Sequence, residues 1–110
     1  MNGFKLLAFT HKTANLKSIG ELHIDDTKQQ TRLGHLKQAL SISELLFLST
    51  CNRVEFLFCC TQEINERFLG EFIQQAYPHF TAEEVRDLTN NCQLYEGEAA
   101  LRHLLEVASS

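Results

Sequence analysis

Apolar and polar residues alternate along this chain in segments whose periods separate strands from helices. Phe4 to Thr10 (FKLLAFT) is a short apolar run that ends in the polar cluster His11-Lys12-Thr13, the pattern of a strand running into a loop. Leu16, Ile19 and Leu22 are spaced for one face of a short helical stretch, and Asp25 and Asp26 are placed to cap the next helix. From Thr27 to Leu40 the spacing predicts a helix, with Leu33, Leu36 and Leu40 on one stripe and Lys28, Arg32 and Lys37 on other faces. Gly34 weakens that helix by roughly 1 kcal/mol relative to alanine, so tertiary packing is expected to hold it.

Glu44 to Leu48 (ELLFL) is a continuous apolar run suited to a buried strand. Val54 to Cys60 (VEFLFCC) predicts another, with Val54, Phe56, Phe58 and Cys60 on one face. The five small or polar residues between them, Ser49-Thr50-Cys51-Asn52-Arg53, form a connection short enough to favour an antiparallel pair, which sets a cysteine at the tip of a hairpin. Ile64, Phe68, Leu69, Phe72, Ile73 and Ala76 make a wide helical stripe that Pro78 stops. Thr81 and Glu84 have capping-box spacing at the head of a short helix containing Val85 and Leu88. Cys92 to Tyr95 predicts a fourth strand, and Glu98 to Ala108 a final helix with Leu101, Leu104, Leu105 and Val107 on its apolar side. No glycine or proline terminator comes before Ser110, so the chain is expected to end inside or near a longer helix. Strand, helix, strand, strand, helix, strand, with extra helices, is the element order of an α+β sandwich of the split-βαβ, ferredoxin-like type.

At 110 residues the length fits one domain with one core, residues 1–110, and an apolar content of 44% is ordinary for a globular protein. No run reaches the ~18 apolar residues of a membrane span, and the N-terminus lacks the pattern of a signal peptide, so the expectation is a cytoplasmic protein with no membrane partner. A formal charge of −4 argues against a surface that holds nucleic acid chiefly by bulk phosphate attraction. Any RNA contact must then be local or lie elsewhere. The basic residues Lys5, Lys12, Lys17, Lys28, Arg32 and Lys37 gather in the first third without interleaved aromatics, and a solvated face explains them as well as RNA does.

None of the four cysteines forms a CxxC, and the adjacent Cys59 and Cys60 would point to opposite faces of a strand, so all four read as reduced thiols. Cys59, Cys60 and Cys92 sit in or beside apolar strands, as buried thiols usually do. Cys51 differs, because its neighbours are polar and the cationic Arg53, two residues on, favours the nucleophilic thiolate. The alternative is a turn thiol of no consequence. His103 is polar in an apolar helix, compatible with a structural hydrogen bond or with proton transfer. His11, His23, His35 and His79 are too dispersed for a helical metal site, and no metal is expected. No two glycines lie within three residues of each other, so a dinucleotide-binding turn cannot be assembled from this sequence.

Leu48-Ser49-Thr50-Cys51-Asn52-Arg53-Val54-Glu55 resembles the signature around the nucleophilic cysteine of glutamyl-tRNA reductases. In the same order, His11-Lys12-Thr13-Ala14 is similar to that family's N-terminal HKTAP-like motif, and His103 to Ser109 (HLLEVAS) to its HLFxVASG segment. Asn15 stands where the family usually has proline, Leu16 to Leu22 lacks the usual Arg-Glu pair, and Leu57 replaces a commonly aromatic residue. The resemblance implies an N-terminal catalytic domain in which Cys51 attacks the ester of glutamyl-tRNA(Glu), giving a thioester that NADPH reduces to glutamate-1-semialdehyde for tetrapyrrole synthesis. It further implies that Thr50, Asn52 and Arg53 bind substrate, with Arg53 on its carboxylate, and that His103 handles protons. NADPH would be bound by a downstream domain outside this chain. The full-length enzyme would be a homodimer, with the downstream aminomutase as a further partner. Two other readings remain open on the residues alone: a noncatalytic ferredoxin-like module that binds a ligand or protein, and a redox or metal sensor that uses several cysteines together.

Overall fold

The computed structural model describes residues 3–10, 16–50 and 52–108. Cys51, His11-Lys12-Thr13-Ala14, Asn15 and Ser109 therefore lie outside the described residues. Strand β1 (Phe4–Thr10) is followed by α1 (Leu16–Glu21), α2 (Asp26–Leu40), β2 (Ser43–Ser49), β3 (Arg53–Cys59), α3 (Glu66–Ala76), α4 (Ala82–Asn91), β4 (Gln93–Glu96) and α5 (Glu98–Ala108). The strands form one antiparallel sheet in the order β2-β3-β1-β4. That order belongs to the split-βαβ plait: the β1-to-β2 crossover leaves a gap that β3 fills, and the β3-to-β4 crossover carries the chain past β1. The expected α+β, ferredoxin-like sandwich with extra helices is what the chain forms.

The alternation of β1 and β3 sorts their side chains between the two faces of the sheet. Leu7 and Phe9 of β1, with Val54, Phe56 and Phe58 of β3, join Leu36, Leu40, Phe68, Phe72, Ile73 and Ala76 from α2 and α3 in the main core. Phe72 lies at the centre of an aromatic cluster, 5.0 Å from the Phe56 ring edge-on and 5.3 Å from the Phe58 ring stacked on it. The opposite face carries Leu6, Ala8 and Leu57, a smaller cluster covered by Ala100 and Leu104 of α5.

The helix boundaries follow their caps. Asp25 accepts a hydrogen bond from the Thr27 amide at the head of α2, and Asn65 does the same for Phe68 at the head of α3. Thr81 and Glu84 close a reciprocal capping box on α4. Replacing Thr81 with alanine should cost about 1 kcal/mol, read as a lower denaturation midpoint. Hydrogen bonds from the Thr81 amide hold the Glu84 carboxyl below its ordinary value. Its contribution is therefore present above the unfolded carboxylate pKa and is lost as the pH falls through the lower folded one.

Two features differ from the sequence reading. β2 is an edge strand, not one buried on both faces: Leu45 and Phe47 face the core, but Leu46 and Leu48 are 57% and 39% exposed. The cause is the placement of α5, which packs on β4 and β1 and leaves the outer side of β2 open. β4 begins at Gln93, one residue later than expected, because Cys92 caps α4 through its amide to Leu88. Gly97, at φ 59°, makes the reversal from β4 into α5, and its amide donates to Phe4 O at 2.8 Å. A side chain there would be strained in the left-handed region, so this glycine sets the angle at which α5 returns over the sheet. Among the described residues, no helix is long and apolar enough to cross a membrane.

A candidate active site at the β2–β3 turn

The sequence places Arg53 and Glu55 two residues apart on β3, so both project from the face that α5 covers. Glu55 is 1% exposed although it lies in a strand of otherwise apolar inward residues. A carboxylate removed from water needs cations or donors around it. Two are supplied. His103, one turn after Ala100 on α5, approaches with Nε2 at 2.9 Å from Glu55 Oε2. Arg53 Nη1 stands 3.5 Å from Glu55 Oε1. At that length the arginine contact is an ion pair rather than a hydrogen bond, and Glu55 Oε1 has no hydrogen-bond partner. The cluster is thus anchored firmly on the histidine side and loosely on the arginine side. The guanidinium, 29% exposed, keeps donors for another anion.

His103 is fixed further by Tyr95 of β4, whose ring stacks on the imidazole with centroids 4.1 Å apart and planes 14° from parallel. Bonding to an ionised carboxylate requires Nε2 to carry hydrogen, so in the neutral ring Nδ1 holds the lone pair. One imidazole nitrogen is thus committed to Glu55.

Thr50, Asn52 and Arg53 surround the position of Cys51 at the end of the same hairpin. The Thr50 amide donates to Arg53 O at 2.9 Å, closing the turn, and the Asn52 amide approaches Thr50 Oγ1 at 3.4 Å. Thr50 and Asn52 are exposed. On the neighbouring side, His23 Nδ1 lies 3.1 Å from Ser49 Oγ, tying the segment before α2 to the end of β2. The structure therefore brings Arg53 and His103 together through Glu55 and sets Thr50 and Asn52 at the rim; Cys51, between them, is outside the described residues.

Glu55 and Tyr95 escape a reading of the sequence. A lone carboxylate inside VEFLFCC is a usable signal for Glu55, since an acid in an apolar strand must find a partner. For Tyr95 no signal exists, because its contact with His103 depends on how α5 folds back on β4. The other cysteines behave as apolar residues. Cys60 is buried, Cys59 and Cys92 are half-buried, and burial pushes the Cys92 thiol up to about 11. Among the described residues no three His, Cys, Asp or Glu side chains gather in a way that could hold a metal ion.

Comparison with known proteins adds the lineage. A glutamyl-tRNA reductase of Syntrophobacter fumaroxidans is 34% identical over 105 residues, which make up 96% of this chain and 22% of that protein. One from Geobacter sulfurreducens is 32% identical over 111 residues, 96% of this chain and 24% of its own length. The chain thus spans less than a quarter of these relatives. Among solved structures, glutamyl-tRNA reductase from Methanopyrus kandleri superposes with a TM-score of 0.64 at 23% identity, over 99% of this chain and 23% of that one, and so shares its fold. The family profile described as glutamyl-tRNA(Glu) reductase, N-terminal domain, matches residues 7–110, and this chain belongs to that family.

Proposed function

We propose that residues 1–110 are the N-terminal catalytic domain of an enzyme that reduces glutamyl-tRNA(Glu) to glutamate-1-semialdehyde with NADPH, in tetrapyrrole synthesis. This domain supplies the nucleophile and the glutamate site. The observation that carries the reading is the buried Glu55 carboxylate linking Arg53 and His103 beside the Thr50-Cys51-Asn52 turn. In the acyl-transfer step the Cys51 thiolate attacks the ester carbonyl carbon. A carbon–sulfur bond forms, the carbon–oxygen bond to the terminal ribose breaks, and the departing ribose oxygen takes a proton. On this reading His103, held at one nitrogen by Glu55, relays that proton. Cysteine suits the task because a thioester accepts hydride more readily than an oxygen ester, dividing one hard reduction into two easier steps.

The Arg53 guanidinium, only loosely held by Glu55, binds the substrate carboxylate through its planar fork, while Thr50 and Asn52 hydrogen-bond the aminoacyl group. Arg53→Ala should raise KM for glutamyl-tRNA roughly tenfold, the scale of one charge-assisted hydrogen bond. An unchanged KM would move the carboxylate site elsewhere. The residues of this chain do not fit NADPH, because its glycines are isolated and form no phosphate-binding turn. On this reading the complete enzyme is a cytoplasmic homodimer that binds the cofactor in a downstream domain and delivers its product to an aminomutase.

The direct test is to incubate the chain with glutamyl-tRNA(Glu) and record its intact mass. A glutamyl adduct on Cys51 that hydroxylamine releases is the expected result. If the same chain within its full-length enzyme also forms no adduct, the reading is wrong and a noncatalytic module takes its place.

A further inference from the structure

Tyr95 has no part in the acyl-transfer step as proposed, yet its ring lies flat against the imidazole that the step uses, with centroids 4.1 Å apart and planes 14° from parallel. We infer that Tyr95 is a positioning residue for that step, its ring fixing the plane of the His103 imidazole; the inference rests on the function proposed above.

The need arises from the histidine side chain itself. Rotation about the bond that carries an imidazole ring has a broad, roughly two-fold profile, so rotamer preference leaves the ring plane poorly set. The hydrogen bond between Nε2 and Glu55 Oε2, 2.9 Å long, holds one atom of the ring. It selects against the flipped ring, which would put a carbon where Nε2 stands, but a single bond of this kind tolerates a range of tilt. Stacking on Tyr95 is complementary, because it sets the plane and is indifferent to the flip. The two contacts together leave one orientation, and Nδ1 then points in one direction. A proton relay depends on this, since transfer requires donor and acceptor within hydrogen-bond reach and a small misplacement costs rate.

Tyr95 is held on a rigid support. Its backbone pairs with Leu6 of β1, and its ring packs on the small cluster of Leu6, Ala8, Leu57 and Ala100. Gly97, at φ 59°, reverses the chain directly after β4, so that α5 brings His103 back over the ring. The hydroxyl is not the working part: it donates to Gln93 Oε1 at 3.3 Å, an exposed contact within the same strand. A residue that merely filled the cluster would be replaceable by any apolar side chain of similar size, and its loss would show in stability alone. Tyr95 as a positioning residue needs its ring, and its loss must be felt through His103.

The test is single-turnover glutamyl transfer from glutamyl-tRNA(Glu) to this chain within its full-length enzyme. The proteins compared are the unaltered enzyme, Tyr95→Phe, Tyr95→Leu, His103→Gln and the double variant Tyr95→Leu/His103→Gln. The rate at saturating substrate should fall roughly 10²-fold in His103→Gln, the lower range for loss of a general acid. Tyr95→Leu should lower it roughly tenfold, the smaller cost of a misplaced group, with the half-saturating concentration unchanged. Tyr95→Phe should stay within about twofold of the unaltered enzyme, because the stacked ring remains. In the His103→Gln background Tyr95→Leu should cost nothing further, since no imidazole is left to position.

NMR of the 110-residue chain reads the contact without the reaction. The ring current of Tyr95 should move the carbon-bound imidazole protons of His103 upfield in the unaltered chain and in Tyr95→Phe, but not in Tyr95→Leu. Absence of that displacement from the unaltered chain overturns the inference, whether or not every variant folds. A normal saturating rate in Tyr95→Leu overturns it too, as does the full Tyr95→Leu loss in Tyr95→Phe or in the His103→Gln background. In each of these cases a lowered rate in His103→Gln leaves the proposed function standing. A normal rate in His103→Gln removes the histidine from the reaction, and this inference falls with that part of the proposed function.

Discussion

Replacing Cys51 with serine should abolish glutamyl transfer, lowering its rate by roughly 10³-fold or more, the scale on which acyl-transfer enzymes respond to loss of their nucleophile. A thiol ionises near pH 8.5 when unperturbed and lower beside a cation, whereas a serine hydroxyl stays protonated throughout this range. Transfer by the unaltered chain should therefore rise with pH up to the thiol pKa and then level off, and the serine variant should show no such rise. The other three cysteines do not offer a substitute. Cys60 is buried, Cys59 is half-buried in a strand, and the Cys92 thiol, pushed up to about 11, is almost fully protonated at neutral pH. A glutamyl adduct of normal yield in Cys51→Ser would assign the nucleophile to a different residue and remove the basis of the proposed mechanism.

Phe72→Ala should destabilise the domain by about 3–5 kcal/mol, the usual cost of emptying a buried phenylalanine site. The Phe72 side chain is fully buried and touches the rings of Phe56, Phe58 and Phe68, so its loss removes contacts from both β3 and α3. A domain of this size has a total stability of about 5–15 kcal/mol, so such a loss is a large part of the whole. Chemical denaturation should show a lower midpoint with an unchanged slope. A cost below about 1 kcal/mol would contradict the packing of α3 against the sheet. Because Arg53 and Glu55 lie on the same strand as Phe56, the variant should also lose substrate use at temperatures where the unaltered chain is still folded.

Periodicity and caps reach a long way in this protein. Phe4 to Thr10 is legible as a strand because Leu6 to Phe9 is a short apolar run that ends in a polar cluster, and six of its seven residues are buried. α3 is legible because its apolar residues recur at helical spacing before Pro78, and α4 because Thr81 and Glu84 form the capping box that their spacing predicts. β2 departs from its pattern because a continuous apolar run indicates burial on both faces only if both faces are covered. Coverage is decided by α5, more than forty residues away, and no local pattern records it.

The sequence by itself determined the element order, and with it the split-βαβ plait, since short connections and right-handed crossovers leave few other arrangements of these strands. It also singled out Cys51, Arg53 and His103, through polar neighbours in a turn and one polar residue in an apolar helix. Only the tertiary structure decided that Glu55 joins Arg53 to His103 and that Tyr95 stacks on the imidazole. The physical reason is range. Helix and strand periods are properties of neighbouring residues, whereas a buried hydrogen bond between positions 55 and 103 exists only after Gly97 has reversed the chain and α5 has closed over the sheet.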